Sequence, residues 1–269
     1  MYSTDLGLTT QDSGLTTLML RHLWIGCCAV AMLLQTLVLL GKPWEAQGWR
    51  AGFLFGATIC GYLFFRREPW QRILAWVAGL GALVCLWRLP QYTLILMVAP
   101  AAIWVLYYFA GHWSLRRKRL LKPVSIAFVW AWMTVLLPLP PSEWWQALLI
   151  FAGRAIFIFA LALAYDLTDL QYDQRFQLPT LVRHLGVKKT FYWINSAMMG
   201  AALVSMLNFF CEIYDAWAMC ALIVSLGCSA GMLHIIQSKL KQPWLQKFWI
   251  DGLMIFQFLC VWMASILSD

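Results

Sequence analysis

The sequence has few charged residues and very few acidic ones. Only 12% of its 269 residues are charged, and twelve Asp and Glu stand against twenty Lys and Arg. An average soluble domain is about 25% charged. Hydrophobic residues make up 62% of the chain, including seventeen Trp and sixteen Phe. This composition excludes a water-soluble domain, a disordered chain and a disulfide-framed secreted module. It predicts an all-α, polytopic membrane protein.

The chain also lacks a separate soluble segment, a metal-type cysteine spacing and a basic N-terminal leader. We expect residues 1–269 to form a single transmembrane domain, with a short polar tail over 1–20. The eight cysteines have no C-x-x-C spacing and lie in apolar stretches or at their ends, which favours packing over disulfides or metal binding. The tail carries Asp5 and Asp12 without a basic run, so we expect no cleaved signal peptide.

Nine apolar stretches are long enough to cross a membrane. A hydrocarbon core of about 30 Å needs about 20 residues of helix. The predicted spans are 23–41, 46–65, 70–87, 92–110, 123–140, 144–165, 190–210, 216–236 and 248–267. We therefore expect a bundle of nine transmembrane helices.

Basic residues are unevenly divided between the loops that these spans imply. Sixteen Lys and Arg fall on the side of the N-terminus, and only Lys42, Arg50 and Arg88 fall on the other. The positive-inside rule then predicts a cytoplasmic N-terminus, an outside C-terminus and a multi-pass protein of a bacterial inner membrane. The same bias explains the net charge of +8 without a nucleic-acid partner. A basic cytoplasmic surface would attract lipid headgroups and phosphorylated substrates.

Three of the eight aspartates lie within eight residues, directly after the sixth span. Asp166, Asp169 and Asp173 have the spacing i, i+3, i+7, which places three carboxylates on one face of a helix. Like charges this close require a compensating positive charge. Mg²⁺ prefers oxygen ligands and shares its shell between one or two carboxylates and substrate phosphates. We expect a Mg²⁺ site here, with a solvated helix end at the membrane surface as the alternative.

Basic residues that follow the acids are candidates for binding a phosphorylated group. Arginine binds phosphate oxygens as a bidentate fork, and lysine acts as a point charge. Each of these residues also fits the positive-inside pattern, so both interpretations stay open. The candidates are Arg175, Arg183, Lys188 and Lys189.

Two further charged residues lie inside predicted spans. Arg154 precedes Asp166 by twelve residues, which is about 18 Å along a helix. An ionisable residue at that depth is a functional candidate, and a snorkelling or carbonyl-paired arginine is the alternative. Asp251, near the start of the ninth span, is expected either to face the same cytoplasmic cavity or to favour its helix N-terminus.

The segment YDLTDLQYDQRFQLPTLVRHLGVKK, over 165–189, resembles the second aspartate-rich motif of the UbiA superfamily of intramembrane prenyltransferases. Asp166, Asp169 and Asp173 match its acids, and Thr180-Leu181 and Leu185-Gly186 match its T-L and L-G pairs. The resemblance extends over roughly 20–267. It implies nine helices, with Mg²⁺ held by the three aspartates. It also implies an isoprenyl diphosphate donor and a lipophilic acceptor as partners, and prenyl transfer as the activity.

The chain departs from that family at the end of its second span. The family's first motif carries Asn and several Asp there, whereas this sequence reads GATICGYLFFRREPWQR, with Leu63 at the Asn position. Either Arg66, Arg67 and Arg72 bind the diphosphate in place of one metal, or the chain keeps the fold without the chemistry. A smaller departure is Gln177, where the family commonly has glycine.

Three functions are therefore compared. The first is a divergent prenyltransferase, whose individual catalytic residues the sequence does not assign. The second is a non-catalytic UbiA-like protein that binds a lipid or isoprenoid or acts as a subunit of a membrane complex. A transporter is disfavoured because transporters usually show paired half-structures with broken helices, and the acids here occur once.

Overall fold

The fold is a bundle of α-helices, seen in a computed structural model that describes residues 15–64, 68–109, 114–115, 118–240 and 242–268. No strand occurs in these residues. The helices are α1 (Leu15–Leu39), α2 (Gly48–Leu63), α3 (Pro69–Trp87), α4 (Tyr92–Tyr108), α5 (Leu121–Ala131), α6 (Leu148–Thr168), α7 (Leu170–Arg175), α8 (Leu181–Phe210), α9 (Ala216–Lys239) and α10 (Pro243–Ser268). A π-helical turn, Trp132–Leu136, continues α5.

A helix overlaps each of the nine predicted spans, which supports a polytopic membrane protein. Six of the described segments are long and apolar enough to cross a bilayer on their own: His22–Leu39, Pro69–Trp87, Leu148–Thr168, Leu181–Phe210, Ala216–Lys239 and Pro243–Leu267. Helix α2 has 16 residues and α4 has 17, and the combined segment Leu121–Leu136 is of similar length. The count of nine crossings therefore stays a prediction.

Helix α6 lies at the centre of the bundle. It packs against α5, α8, α9 and α10, so that charged groups on α6 are surrounded by other helices. Ala160 and Ala164, one turn apart, are completely buried, and such small side chains let neighbouring helices approach closely. Phe157 and Leu161 continue the same buried surface. The central position of α6 explains how it can hold both Arg154 and Asp166 away from solvent.

Helices α3 and α4 lie at the edge of the bundle. Ile73, Trp76 and Leu80 of α3 are all exposed, as expected for a helix face that contacts lipid. The other face of α3 packs closely against α2, where a β-carbon on Gly56 would lie 2.7 Å from the carbonyl oxygen of Ala78. Glycine is therefore required at this contact.

The segment between α6 and the seventh predicted span is more helical than the sequence indicated. Helix α7 occupies part of it, and α8 begins at Leu181 although the span was predicted to begin at 190. Helix α8 is kinked at Gly186, whose φ of 74° and ψ of 166° are not helical. Only glycine adopts this conformation readily because it has no β-carbon. The kink separates the first turn of α8 from its long membrane portion.

Candidate functional site

The three aspartates lie at one end of the bundle but not on one continuous helix. Asp166 is in the last turn of α6, and Asp169, with φ −98° and ψ 5°, forms the junction between α6 and α7. Asp173 follows in α7. The continuous helix that the spacing suggested is therefore wrong at Asp169. As a result Asp166 and Asp173 are only 5% and 3% exposed, whereas the side chain of Asp169 is 36% exposed.

Two lysines from distant parts of the chain supply positive charge to these acids. The Nζ atom of Lys122, at the start of α5, lies 2.6 Å from Oδ1 of Asp166. The Nζ atom of Lys247, in the first turns of α10, lies 2.6 Å and 2.8 Å from the two carboxylate oxygens of Asp169. Lys247 also lies over the ring of Tyr165, 4.9 Å from its centroid. The compensating charge is thus present in the fold itself.

Each of the two buried aspartates has one carboxylate oxygen without a hydrogen-bond partner among the residues that the structure describes. These atoms are Oδ2 of Asp166 and Oδ2 of Asp173, and both are inaccessible to solvent. Burial raises the pKa of Asp173 above its ordinary value, Lys122 opposes that rise, and Asp166 and Asp169 reinforce it. Buried oxygens without a partner are the donor chemistry that a hard divalent cation prefers.

The structure does not gather the aspartates into a three-ligand metal site. Within the described residues, no group of three or more His, Cys, Asp or Glu side chains is arranged to hold one ion. Two carboxylates are nevertheless enough for Mg²⁺, which completes its shell with water and phosphate oxygens. The carboxylates of Asp166 and Asp173 are therefore chemically suitable ligands for Mg²⁺. Asp169 instead forms an ion pair with Lys247.

The basic residues that the sequence suggests as phosphate ligands lie at the surface of the protein, whereas Asp166 and Asp173 are buried. Arg175, Arg183, Lys188 and Lys189 are all exposed, and in the part of the chain that the structure describes none forms an ion pair with the acids. Arg183 donates a hydrogen bond to the carbonyl oxygen of Leu178 at 3.3 Å.

The predicted substitutes for the first motif are only partly described. Arg72 is exposed at the start of α3, and Arg66 and Arg67 lie outside the described residues. Leu63 is completely buried in a small apolar cluster with Ile59 and Ala75, so this position contributes packing rather than a polar ligand.

Tyr62 and Asp251 bring two more helices to this end of the bundle. Tyr62 of α2 is within electrostatic range of Asp251 and Tyr165. Asp251 is buried in α10, one turn after Lys247, and its carbonyl oxygen accepts a hydrogen bond from the thiol of Cys28 at 3.2 Å. Asp251 therefore lies one turn from the lysine that holds Asp169, and its place in a cytoplasmic cavity stays a prediction.

Gln177 adopts a backbone conformation that favours glycine. Its φ is +50°, in the left-handed region that is unfavourable for a residue with a β-carbon. The UbiA family commonly has glycine at this position, and the turn after α7 requires the conformation that glycine adopts most easily.

An apolar groove lies between α1, α2 and α10. Ile255 of α10, one turn beyond Asp251, is among the residues that line the groove. The volume of the groove is about 340 Å³. That volume is within the range of small-molecule sites, about 300–1,000 Å³. Helices α1, α2 and α10 form the groove, with Cys27, Val30, Ala31, Leu34, Phe55, Phe258 and Leu259 as the other lining residues.

Sequence reasoning assigned Lys122 and Lys247 only to the positive-inside pattern. Their partners are 44 and 78 residues away in the chain, so no local spacing connects them. One signal was present: each lysine directly adjoins the start of a predicted span, at 123 and at 248.

Comparison with known proteins defines the fold. No protein-family model matches the chain, and no curated protein matches it in sequence. A solved structure of digeranylgeranylglyceryl phosphate synthase, an intramembrane prenyltransferase of the UbiA superfamily, is similar with a TM-score of 0.59 and 12% identity. The similarity covers 93% of this chain and 99% of the synthase chain. The chain has the fold of this synthase. The resemblance stated from the aspartate motif is thus confirmed at the level of the fold, and the protein is an integral membrane protein with this fold.

Proposed function

We propose that the protein is a UbiA-like intramembrane prenyltransferase, which moves an isoprenyl group from its diphosphate to a lipophilic acceptor. One observation carries the proposal: a polar site lies at the end of the central helix of a UbiA fold. Two buried carboxylates there, Asp166 and Asp173, have oxygens without a partner among the described residues, and Lys122 forms an ion pair with Asp166 while its charge also acts on Asp173. The synthase with the similar fold is named for making a digeranylgeranylglyceryl phosphate, which suggests a prenyl substrate for this chain.

The charges of this site suit a diphosphate. Lys122 and Lys247 supply two ammonium groups, and the exposed Arg175 and Arg183 add positive charge outside them. Mg²⁺, when bound, would reduce the charge repulsion between the carboxylates and the diphosphate and stabilise the leaving group. Asp166 and Asp173 would hold it through their unpartnered oxygens. In this proposal Asp169, which Lys247 holds in the structure, would be the third carboxylate available to the ion.

The proposed reaction breaks the bond between C1 of the isoprenyl group and the diphosphate oxygen, and the electron pair leaves with the diphosphate. A new bond forms between C1 and the acceptor, which loses a proton to solvent. Lys122 and Lys247 stabilise the negative charge that develops on the leaving group. The faces of Tyr62 and Tyr165, which lie at this end of the bundle, stabilise positive charge on the isoprenyl group.

The apolar groove provides a place for the hydrocarbon part of the substrates. Its lining residue Ile255 lies about 12 Å beyond Lys247 along α10, so the chain of a diphosphate in the charged site would extend along α10 to reach it. Apolar walls also exclude water, which would otherwise compete with the acceptor. The bilayer supplies both lipophilic substrates to this groove.

Two observations favour a second function. Leu63, at the position where the UbiA family has asparagine, is sealed in an apolar cluster, and lysines already neutralise Asp166 and Asp169. Both features suit a protein that holds an isoprenoid or another lipid without reacting it, alone or as a subunit of a membrane complex.

Binding and turnover of geranylgeranyl diphosphate by the purified protein, with Mg²⁺ and with EDTA, test the proposal. We expect Mg²⁺-dependent binding, weakened at least about tenfold by Asp166→Asn or Asp173→Asn, since each would remove a charged Mg²⁺ ligand. Asp215→Asn is the matched control because Asp215 caps the distant helix α9, and asparagine caps equally well. Equal binding with EDTA and in both site variants would contradict the metal site.

The same assay separates the two functions. It also tests Arg66 and Arg67, which the sequence suggests as ligands of the diphosphate. Turnover with any lipophilic acceptor supports the transferase, whereas tight binding without turnover across a panel of acceptors supports the ligand-holding protein. Replacing Arg66 and Arg67 by alanine is expected to lower the affinity for the diphosphate. An unchanged affinity would assign these two residues to topology alone.

A further inference from the structure

A second polar site lies deep in the bundle, away from the aspartates. Its charged residue is Arg154 of α6, which is 5% exposed and about 18 Å from Asp166 along the helix. The guanidinium donates hydrogen bonds to the carbonyl oxygen of Met32 at 2.7 Å and to the hydroxyls of Thr134 at 3.1 Å and Thr36 at 3.3 Å. This arrangement agrees with the carbonyl-paired alternative considered for the sequence.

The charge of Arg154 is not balanced by an acid. No carboxylate in the described part of the chain forms an ion pair with it, and its three hydrogen-bond partners are neutral. A guanidinium remains protonated in proteins, so a full positive charge is buried there. Burying a charge is costly unless an opposite charge accompanies it.

A small cavity adjoins this charge and is lined by polar groups that lack partners. Its volume is about 30 Å³, and Arg154, Gln35 and Asn208 are among its lining residues. Gln35 is completely buried, and within the described segments neither its amide nitrogen nor its amide oxygen has a hydrogen-bond partner. The side-chain oxygen of Asn208, a residue that is 1% exposed, also lacks one. Leaving such buried groups without a partner is costly, so the cavity favours a polar occupant.

We propose that this cavity binds a monovalent anion of halide size together with a water molecule. The anion balances Arg154 and accepts a hydrogen bond from the Gln35 amide nitrogen, while the water donates to the oxygens of Gln35 and Asn208. A water needs about 10–15 Å³ of space, so the cavity has room for small particles of this kind. The position of Arg154, about 18 Å from Asp166 along α6, separates this site from the proposed prenyl site.

The position of the site gives the anion a structural role. Arg154 connects α6 with α1 through Met32 and Thr36, and with the π-helical turn after α5 through Thr134. Asn208 adds α8 to the same cavity. An anion here would stabilise four segments that have no other charged contact at this depth among the described residues.

Thermal unfolding of the purified protein, followed by tryptophan fluorescence, tests this site. Sodium chloride replaces sodium gluconate at constant ionic strength, and sodium bromide serves as a second halide. We expect a saturable rise of the unfolding midpoint with either halide. Arg154→Met should abolish the rise, and Arg88→Met is the matched control because Arg88 is an exposed arginine that lies over Trp49.

Two further measurements keep the proposal decidable if Arg154→Met does not fold. Gln35→Leu keeps the arginine and removes the amide donor, so the halide concentration at half-saturation should rise several-fold. The protein broadens the ³⁵Cl resonance when it binds chloride, so this broadening measures binding directly. In Gln35→Leu the broadening should decrease, in agreement with the higher chloride concentration needed for half-saturation. Two results would show that the cavity holds only water and would overturn the proposal. One is a midpoint of the natural chain that does not respond to halide, and the other is a response in Gln35→Leu as large and as readily saturated as that of the natural chain.

Discussion

Replacing Lys122 by methionine should destabilise the protein strongly. The Nζ atom lies 2.6 Å from the Asp166 carboxylate, and the two side chains are 19% and 7% exposed. Without the lysine, a buried carboxylate loses its main positive partner while its second oxygen already lacks a hydrogen bond. Removing one member of a buried pair costs about 3–5 kcal/mol. At roughly 2–4 °C per kcal/mol, the midpoint of thermal unfolding should decrease by about 6–20 °C.

Lys42→Met is the matched control for this variant. Lys42 forms an ion pair of similar length with Glu143, at 2.8 Å, but the two side chains are 34% and 27% exposed. An exposed pair contributes about 0–1 kcal/mol, so the control should shift the midpoint by no more than about 4 °C. Both variants remove one lysine, and the comparison therefore isolates the effect of burial.

The double variant Lys122→Met, Asp166→Leu tests the cause of the loss. It removes both charges, and replacing a buried pair by apolar groups is often neutral or stabilising. It should therefore recover most of the midpoint that the single variant loses. Mg²⁺ should also partly restore Lys122→Met, provided that the ion binds Asp166 as proposed. A loss no larger than that of Lys42→Met, or a double variant as unstable as the single one, would refute the reasoning.

Two other predictions concern the segment around α7. Gln177→Gly should stabilise the protein by up to about 1 kcal/mol, because it relieves the left-handed φ of +50°. Gln174→Gly, the control in the helical part of α7, should destabilise it by about 1 kcal/mol, and equal midpoints for the two variants would contradict the strain. Because the pKa of Asp173 is raised in the fold from an ordinary value of 3.8, its contribution to stability is full below that value and is lost as the pH rises through the folded pKa. Asp173→Asn should therefore gain stability relative to the natural chain between about pH 4 and neutral pH, and a pH-independent difference in midpoint would refute this.

The order of the helices could be predicted from the sequence because hydropathy acts locally. A stretch of apolar residues must be helical in a bilayer, where every backbone group needs an internal hydrogen bond. The nine predicted spans accordingly overlap helices of the structure. The cluster of Asp166, Asp169 and Asp173 was also visible, since these acids are neighbours in the chain.

The precise shape of the acidic segment could not be predicted from its spacing. The i, i+3, i+7 pattern is compatible with one helix, but Asp169 leaves the helical conformation and turns toward Lys247. The choice depends on where α10 places its lysine. The turn at Gln177 and the kink at Gly186 likewise depend on how α7 and α8 dock against the bundle, although glycine at 186 was a partial signal.

By itself the sequence determined that this chain is an α-helical membrane protein, where its helices lie, and that scarce acids gather after the sixth span. Those properties arise from composition and from contacts between near neighbours. Only the tertiary structure decided that Lys122 and Lys247 compensate the acids and that Leu63 is sealed in apolar packing. It also decided that Arg154 adjoins a polar cavity. These contacts join residues from different helices, and the packing of the whole bundle fixes which side chains are buried together.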